Sequence, residues 1–306
     1  MTFPPKTKPT RILIIIGTVT ITLITLLTSE YLINTASNHP ESSATGQLFS
    51  GDSAMTYAQA QCDIGPRPTG ATANKATANY IINILRQTGW PSESQEFQYR
   101  DKPIQNVIGK RGKGSLVIIG AHYDTRPRAD NDPNNPQLPI IGANDGASGT
   151  AILLELARVL PTSLSREVWL AFLDAEDWGN IDGWPFSVGA EHLAASLKRK
   201  PDSIVILDMV GDRDQQIYFE ANSNLPLQTT LFSIAAHLGY SANFVPRIKY
   251  AMTDDHTPFL TRGITAVDLI DFDYPYWHTL QDTCDKIDAR SLERVGRVIQ
   301  QWLLEP

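Results

Sequence analysis

Near the middle of the chain, "LAFLDAEDWGN" carries an apolar run straight into three acids, Asp174, Glu176 and Asp177, and then a Gly. Adjacent carboxylates at the end of a buried strand are costly unless something compensates their charge. The arrangement recurs. "SLVIIGAHYD" ends in His122 and Asp124, "SIVILDMVGD" in Asp208 and Asp212, and "ITAVDLIDFD" leads into "YPYWHT" with His278. "GANDGASG" adds Asp145 at the opening of a helix-like stretch. Imidazoles and carboxylates together are a donor set for Zn²⁺, which takes nitrogen and oxygen ligands at about 2.0–2.2 Å. A cation also neutralises carboxylates that would otherwise repel one another. Of two adjacent acids, one can face the metal while the other stays free to move a proton. Each motif alone is weak, because acids decorate loops and an Asp before a helix is often its cap. Their ordered return after successive strands makes the case.

Such residues need a frame that gathers strand ends. The four apolar runs alternate with helix-like stretches, among them "ASGTAILLELARVL", "LPLQTTLFSIAAHLGY" and "ARSLERVGRVIQQWLL". Strands that are apolar throughout belong to a sheet covered on both faces. The expected fold is therefore α/β, with a mixed, largely parallel sheet sandwiched by helices. In open sheets of this kind, ligands collect outside the carboxyl ends of the strands. The Pro/Asn-rich "RPRADNDPNNPQLP" reads as a long loop that shapes a site. His192 and His237 fall inside helix-like stretches and read as structural, and His39 lies in a polar segment.

The chain has 306 residues and a net charge of -7. With no basic stripe, a nucleic-acid partner is not expected. Lys6, Lys8 and Arg11 precede "ILIIIGTVTITLITLLTSEYLI", which carries no charge before Glu30. A bilayer span takes about 20 apolar residues and a signal-peptide core about 7–15. The reading is a basic cytoplasmic tail over 1–11, a membrane anchor or signal segment over 12–33, a polar tether over 34–54 and a catalytic domain over 55–306. The basic flank places that domain outside the cytoplasm, in the periplasm or beyond it. Cleavage of the segment would instead release a secreted protein. Cys62 and Cys284 are the two cysteines. They form either one disulfide joining the two ends of the domain, as an oxidising compartment permits, or two free thiols.

As a set, "AHYDTRPRADNDPN", "GANDGASG", "LDAEDWG", "ILDMVGD", "MTDDHTPFLTRGI" and "YWHTLQDT" resemble, in this order, the zinc aminopeptidase superfamily. Within it the chain most resembles bacterial glutaminyl cyclases (glutaminyl-peptide cyclotransferases), from about Cys62 through "GPRPTG" to the C-terminus. The resemblance implies that Asp145, Asp177 and His278 hold one catalytic zinc and that Glu176 is the general acid/base. It implies that Asp208 and Asp254 form a carboxyl network, and that Trp277 and Trp184 are walls for the substrate. His122 and Asp208 match the second-zinc positions of the aminopeptidases, and Asp124 would orient His122. One departure stands out: the ligand after the general acid/base is commonly Glu, and here it is Asp177, one methylene shorter. The implied reaction converts an N-terminal Gln of a peptide or protein into pyroglutamate with release of ammonia. The rival reading is an exported two-zinc aminopeptidase, a metallopeptidase with Asp145 bridging. A third, an inactive binding ectodomain, has the intact Glu176 and full ligand set against it.

Overall fold

The computed structural model describes residues 47–305, together with Thr2. The apolar run over 12–33, the basic tail and most of the tether lie outside the described residues. Among the described residues, no helix is long and apolar enough to cross a membrane.

The chain enters its main sheet through an antiparallel pair, β1 (Ser92–Tyr99) and β2 (Lys102–Arg111). Three of the apolar runs then become β3 (Leu116–His122), β4 (Glu167–Leu173) and β5 (Ser203–Asp208). After a separate two-stranded ribbon, β6 (Ile217–Glu220) with β7 (Phe244–Tyr250), the fourth run supplies β8 (Ala266–Ile270). The six strands lie in the order β1-β2-β4-β3-β5-β8, and the last four of these, β4, β3, β5 and β8, are parallel. The mixed, largely parallel sheet expected from the sequence is present, with β1 and β2 as its antiparallel margin.

Alternating side chains of the parallel strands feed two cores. Val117, Ile119 and Ala121 of β3, with Val205 and Leu207 of β5, pack on one face. They meet α1 (Gly51–Ile64), α2 (Thr72–Gln87), α3 (Ala147–Val159), α5 (Leu225–His237) and α7 (Ala289–Leu304). Leu116, Ile118, Ile204 and Ile206 point the other way, onto α4 (Val188–Ser196) and the short α6 (Thr257–Leu260). Burial on both faces is why these strands carry no polar alternation. In α7, Leu292, Val295, Ile299, Trp302 and Leu303 recur at helical spacing and turn one stripe inward. Asp288 caps that helix by accepting from the Arg290 N–H at 2.8 Å.

The body begins earlier than residue 55. Phe49 is buried and its N–H donates to Gln300 Oε1 at 3.0 Å. Its ring lies against Gly296 of α7, where an added Cβ would sit 2.1 Å from it. Ser50 then caps α1, so the last residues assigned to the tether are a helix start. The edge strand β1, "SESQEFQY", went unread because half of its side chains face solvent and its composition is polar.

Cys62, near the end of α1, is disulfide-bonded to Cys284 across a sequence separation of 222. The free-thiol alternative therefore falls away. A loop of this length stabilises by about 5 kcal/mol in the chain-entropy account. Replacing both cysteines by Ala is expected to lower the thermal midpoint by roughly 10 °C, read by calorimetry.

Candidate metal centre

From β3 the chain passes to β4 on one side and then to β5 on the other. Connections that part in this way leave a crevice at the carboxyl ends of the strands. His122 ends β3, Asp208 ends β5, and Glu176 and Asp177 follow β4. Asp145 precedes α3, and His278 follows β8. All six are buried.

The turn after β4 answers the question of its three acids. Asp174 is structural: its carboxylate accepts from the Thr69 hydroxyl, the Asn74 amide and the Gln105 and Ala175 N–H groups at 2.8–3.0 Å. Burial, then the charge of Asp124, push its pKa up to about 7. Ala175 takes a left-handed φ of 60°, a strained value for a residue with Cβ, and so turns Glu176 and Asp177 toward the crevice. Asp124 accepts from the N–H groups of those two residues at 3.1 and 3.2 Å. It also lies 3.5 Å from His122 Nδ1. One carboxylate thus braces both the imidazole and the turn, in the orienting place the sequence assigned to it.

Two donor groups share Asp145. His122 Nε2 lies 3.1 Å from Asp145 Oδ1 and 3.2 Å from Asp208 Oδ1. His278 Nε2 lies 3.2 Å from Asp177 Oδ1 and 3.7 Å from Asp145 Oδ2. Asp282 fixes the Asp145 loop by accepting from the N–H groups of Asn144 and Asp145 at 2.8 and 3.1 Å. Gly146, at φ 101°, must stay Gly, since a Cβ would sit 2.7 Å from the Asp124 carbonyl oxygen.

These residues fit a metal ion. Asp145 Oδ2 and both carboxylate oxygens of Asp177 are buried without a hydrogen-bond partner, a costly state that a cation relieves. In each of the sets His122/Asp145/Asp208 and Asp145/Asp177/His278, the ligand atoms lie within 4.8 Å of one another. Ligands about 2.1 Å from a tetrahedral ion stand roughly 3.4 Å apart, close to the 3.1–3.7 Å seen here. Asp177 reaches the site despite its shorter side chain.

Among and beside the donors lie further buried acids. Burial raises the pKa of Glu176 well above that of an exposed carboxyl, and the charges of Asp254 and Asp177 add to the rise. Burial and then Asp254 push Asp208 up to about 8. Asp268, also buried, is raised by burial and then by Asp254. The charge of Asp254 therefore acts on Glu176, Asp208 and Asp268 alike.

Trp277 stands half-exposed at the rim, stacked on His278 with ring centroids 3.9 Å apart. Trp184 departs from expectation. Its ring is buried among Ile104, Ala175 and Val188 and leaves little surface for a substrate. Asp212 also stands apart, pairing its backbone with Ile287 next to Asp214, Asp273 and Asp285. His192 stacks on Phe97, and His237 bonds its own helix at the Ser233 carbonyl. Sequence reading missed Arg126, Asp130, Asp268 and Asp282. All four stood in quoted stretches, but nothing in their spacing told them from ordinary charged residues of a loop or strand.

The family comparison decides the lineage. Residues 106–303, from β2 to α7, match the model of peptidase family M28. The chain belongs to peptidase family M28. Among M28-like relatives, the glutaminyl-peptide cyclotransferase of Drosophila melanogaster is 27% identical over 283 residues, covering 78% of this chain and 77% of its own. The crystal structure of Bacteroides thetaiotaomicron glutaminyl cyclase, bound to N-acetylhistamine, superposes with a TM-score of 0.81 at 28% identity. It covers 86% of this chain and 100% of that one. Tannerella forsythia glutaminyl cyclase gives 0.79 at 31% identity, covering 85% of this chain and 100% of that one.

Metal binding in this M28 site must depend on pH. Burial disfavours a charged His278, but Asp177, Asp130 and Asp145 outweigh it and push the pKa up to about 9. A metal needs the imidazole neutral, so binding releases its proton. Zinc affinity is expected to rise between pH 6 and 8, by about tenfold per unit for each proton displaced. Chelator competition, corrected for the chelator's own protonation, measures this. At fixed pH, His278→Ala should weaken binding by more than about 100-fold.

Proposed function

We infer that this M28 protein is a zinc-dependent glutaminyl-peptide cyclotransferase that acts on N-terminal Gln of peptides or proteins. One observation carries the reading: Glu176, Asp208 and Asp254 are all buried at the same sheet end as the Asp145/Asp177/His278 donors, and the charge of Asp254 acts on both Glu176 and Asp208. The likeness to glutaminyl cyclases over nearly the whole domain supports it.

Bound at Asp145, Asp177 and His278, one zinc supplies Lewis acidity at the side-chain amide carbonyl of the substrate. The substrate's own neutral α-amine is the nucleophile and attacks the Gln Cδ. A new C–N bond forms, the bond to the side-chain nitrogen breaks, and ammonia leaves. Glu176 takes the proton from the attacking amine and delivers it to the departing nitrogen. Its raised pKa suits a group that must hold a proton and hand it on. Asp208 and Asp254 would accept hydrogen bonds from the departing amine. Trp277, stacked on His278, gives the flexible Gln side chain a rigid wall and so favours the near-attack conformer.

A second reading is favoured by the donor group His122/Asp145/Asp208 and by the peptidase family. With both groups filled, Asp145 would bridge two zincs and Glu176 would serve an aminopeptidase. The products separate the readings. A Gln-initiated peptide should lose the mass of NH₃ with every peptide bond intact, as seen by mass spectrometry. Asp254→Ala should slow this by roughly 10²–10⁴-fold. Free amino acids from several N-termini, with Gln peptides left uncyclised, would establish the aminopeptidase.

The proposed location is the cell membrane, anchored by residues 12–33 with the catalytic domain extracytoplasmic. Lys6, Lys8 and Arg11 ahead of the apolar run support that orientation. The Cys62–Cys284 disulfide suits an oxidising compartment. Protease added to intact spheroplasts should digest the domain. Protection until lysis would reverse the orientation.

A further inference from the structure

The long loop after β3 does more than border the crevice. Asp130 Oδ1 lies 3.2 Å from His278 Nδ1, on the side of the ring away from the donor group. Arg126 grips the same carboxylate with two parallel hydrogen bonds, Nε to Oδ1 at 3.0 Å and Nη2 to Oδ2 at 2.6 Å. Its remaining nitrogen, Nη1, donates to the Gly179 and Asp177 carbonyl oxygens at 2.8 and 3.2 Å. It also lies 3.5 Å from Asp177 Oδ1. Arg126 is buried, whereas the Asp130 side chain is 44% exposed.

His278 needs such support. It has a left-handed φ of 56°, a conformation that a residue with Cβ adopts only when its surroundings impose it. The loop supplies those surroundings: the Asn131 N–H donates to the His278 carbonyl at 3.1 Å, and Asp132 accepts from the Leu280 N–H at 3.1 Å.

We propose that Arg126 and Asp130 are positioning residues that form a clasp joining His278 and Asp177 into one metal-binding unit. Asp130 accepts from Nδ1–H, which leaves the Nε2 lone pair facing Asp145 and Asp177, the tautomer a metal ligand requires. Arg126 anchors Asp130 by a bidentate pair and carries the constraint to the turn after β4. The charge of Arg126 is matched by Asp130, so the clasp imposes geometry while adding no net charge to the site.

This inference rests on the assignment of Asp145, Asp177 and His278 as ligands, not on the reaction catalysed. The test is zinc affinity by chelator competition, with thermal unfolding of the metal-free protein measured in parallel. Asp130→Ala should lower the affinity by about 10–100-fold. Asp130→Asn, which keeps an acceptor oxygen, should recover part of that loss. Because Asp130 is partly exposed, both metal-free variants should unfold within a few degrees of the wild type. Wild-type affinity in both Asp130 variants, with binding lost in His278→Ala, would reduce the clasp to a loop staple and overturn the proposal. Wild-type affinity in His278→Ala itself would overturn the ligand assignment, and the clasp with it.

Discussion

Buried negative charge is the constraint on which this structure turns. Asp124, Asp145, Glu176, Asp177, Asp208 and Asp254 are all enclosed at one end of the sheet. Carboxylates removed from water either find hydrogen-bond donors, share protons or meet a cation. The protein uses all three means. Asp124 and Asp174 take backbone and side-chain donors. Glu176 and Asp208 are pushed toward the protonated state. Asp145 and Asp177 keep bare oxygens that only a cation would satisfy.

Rigidity of the sheet makes that crowding tolerable. Strands buried on both faces leave little freedom to their last residues, so His122 and Asp208 arrive at fixed positions. Ala175 and His278, which need unusual backbone, stand beyond the strands in the segments that follow β4 and β8. There, loops and turn hydrogen bonds hold values of φ that free chains avoid. The disulfide ties the end of α1 to the segment just after Asp282, the acid that fixes the Asp145 loop.

The shared carboxylate explains how one M28 framework serves two chemistries. Asp145 offers one oxygen to each donor group. If His122 and Asp208 stay with protons, the second group becomes part of an acid network and supports proton transfer to a leaving amine. If they held a metal, that ion would supply the means to activate water. Burial, and then repulsion from Asp254, favour the protonated condition of Asp208.

What the sequence determined by itself were features written in local pattern. Continuous apolar runs announced strands buried on both faces, and the acids and imidazoles just after them announced a ligand site at one sheet end. His122, Asp124, Asp145, Glu176, Asp177, Asp208 and His278 were legible because strand ends in a parallel sheet must converge, and Asp254 and Trp277 through the resemblance to glutaminyl cyclases. Only the tertiary structure decided the rest. It turned Trp184 inward, because burial of a ring depends on neighbours from β1, β2 and α4. It set Asp212 apart, because four residues past the end of β5 the chain has already turned away to pair with Ile287. It chose the Cys62–Cys284 bond over free thiols, a choice that rests on two segments 222 residues apart meeting. And it brought Arg126 and Asp130 behind His278, since a hydrogen bond across about 150 residues of chain leaves no periodicity for a sequence to display.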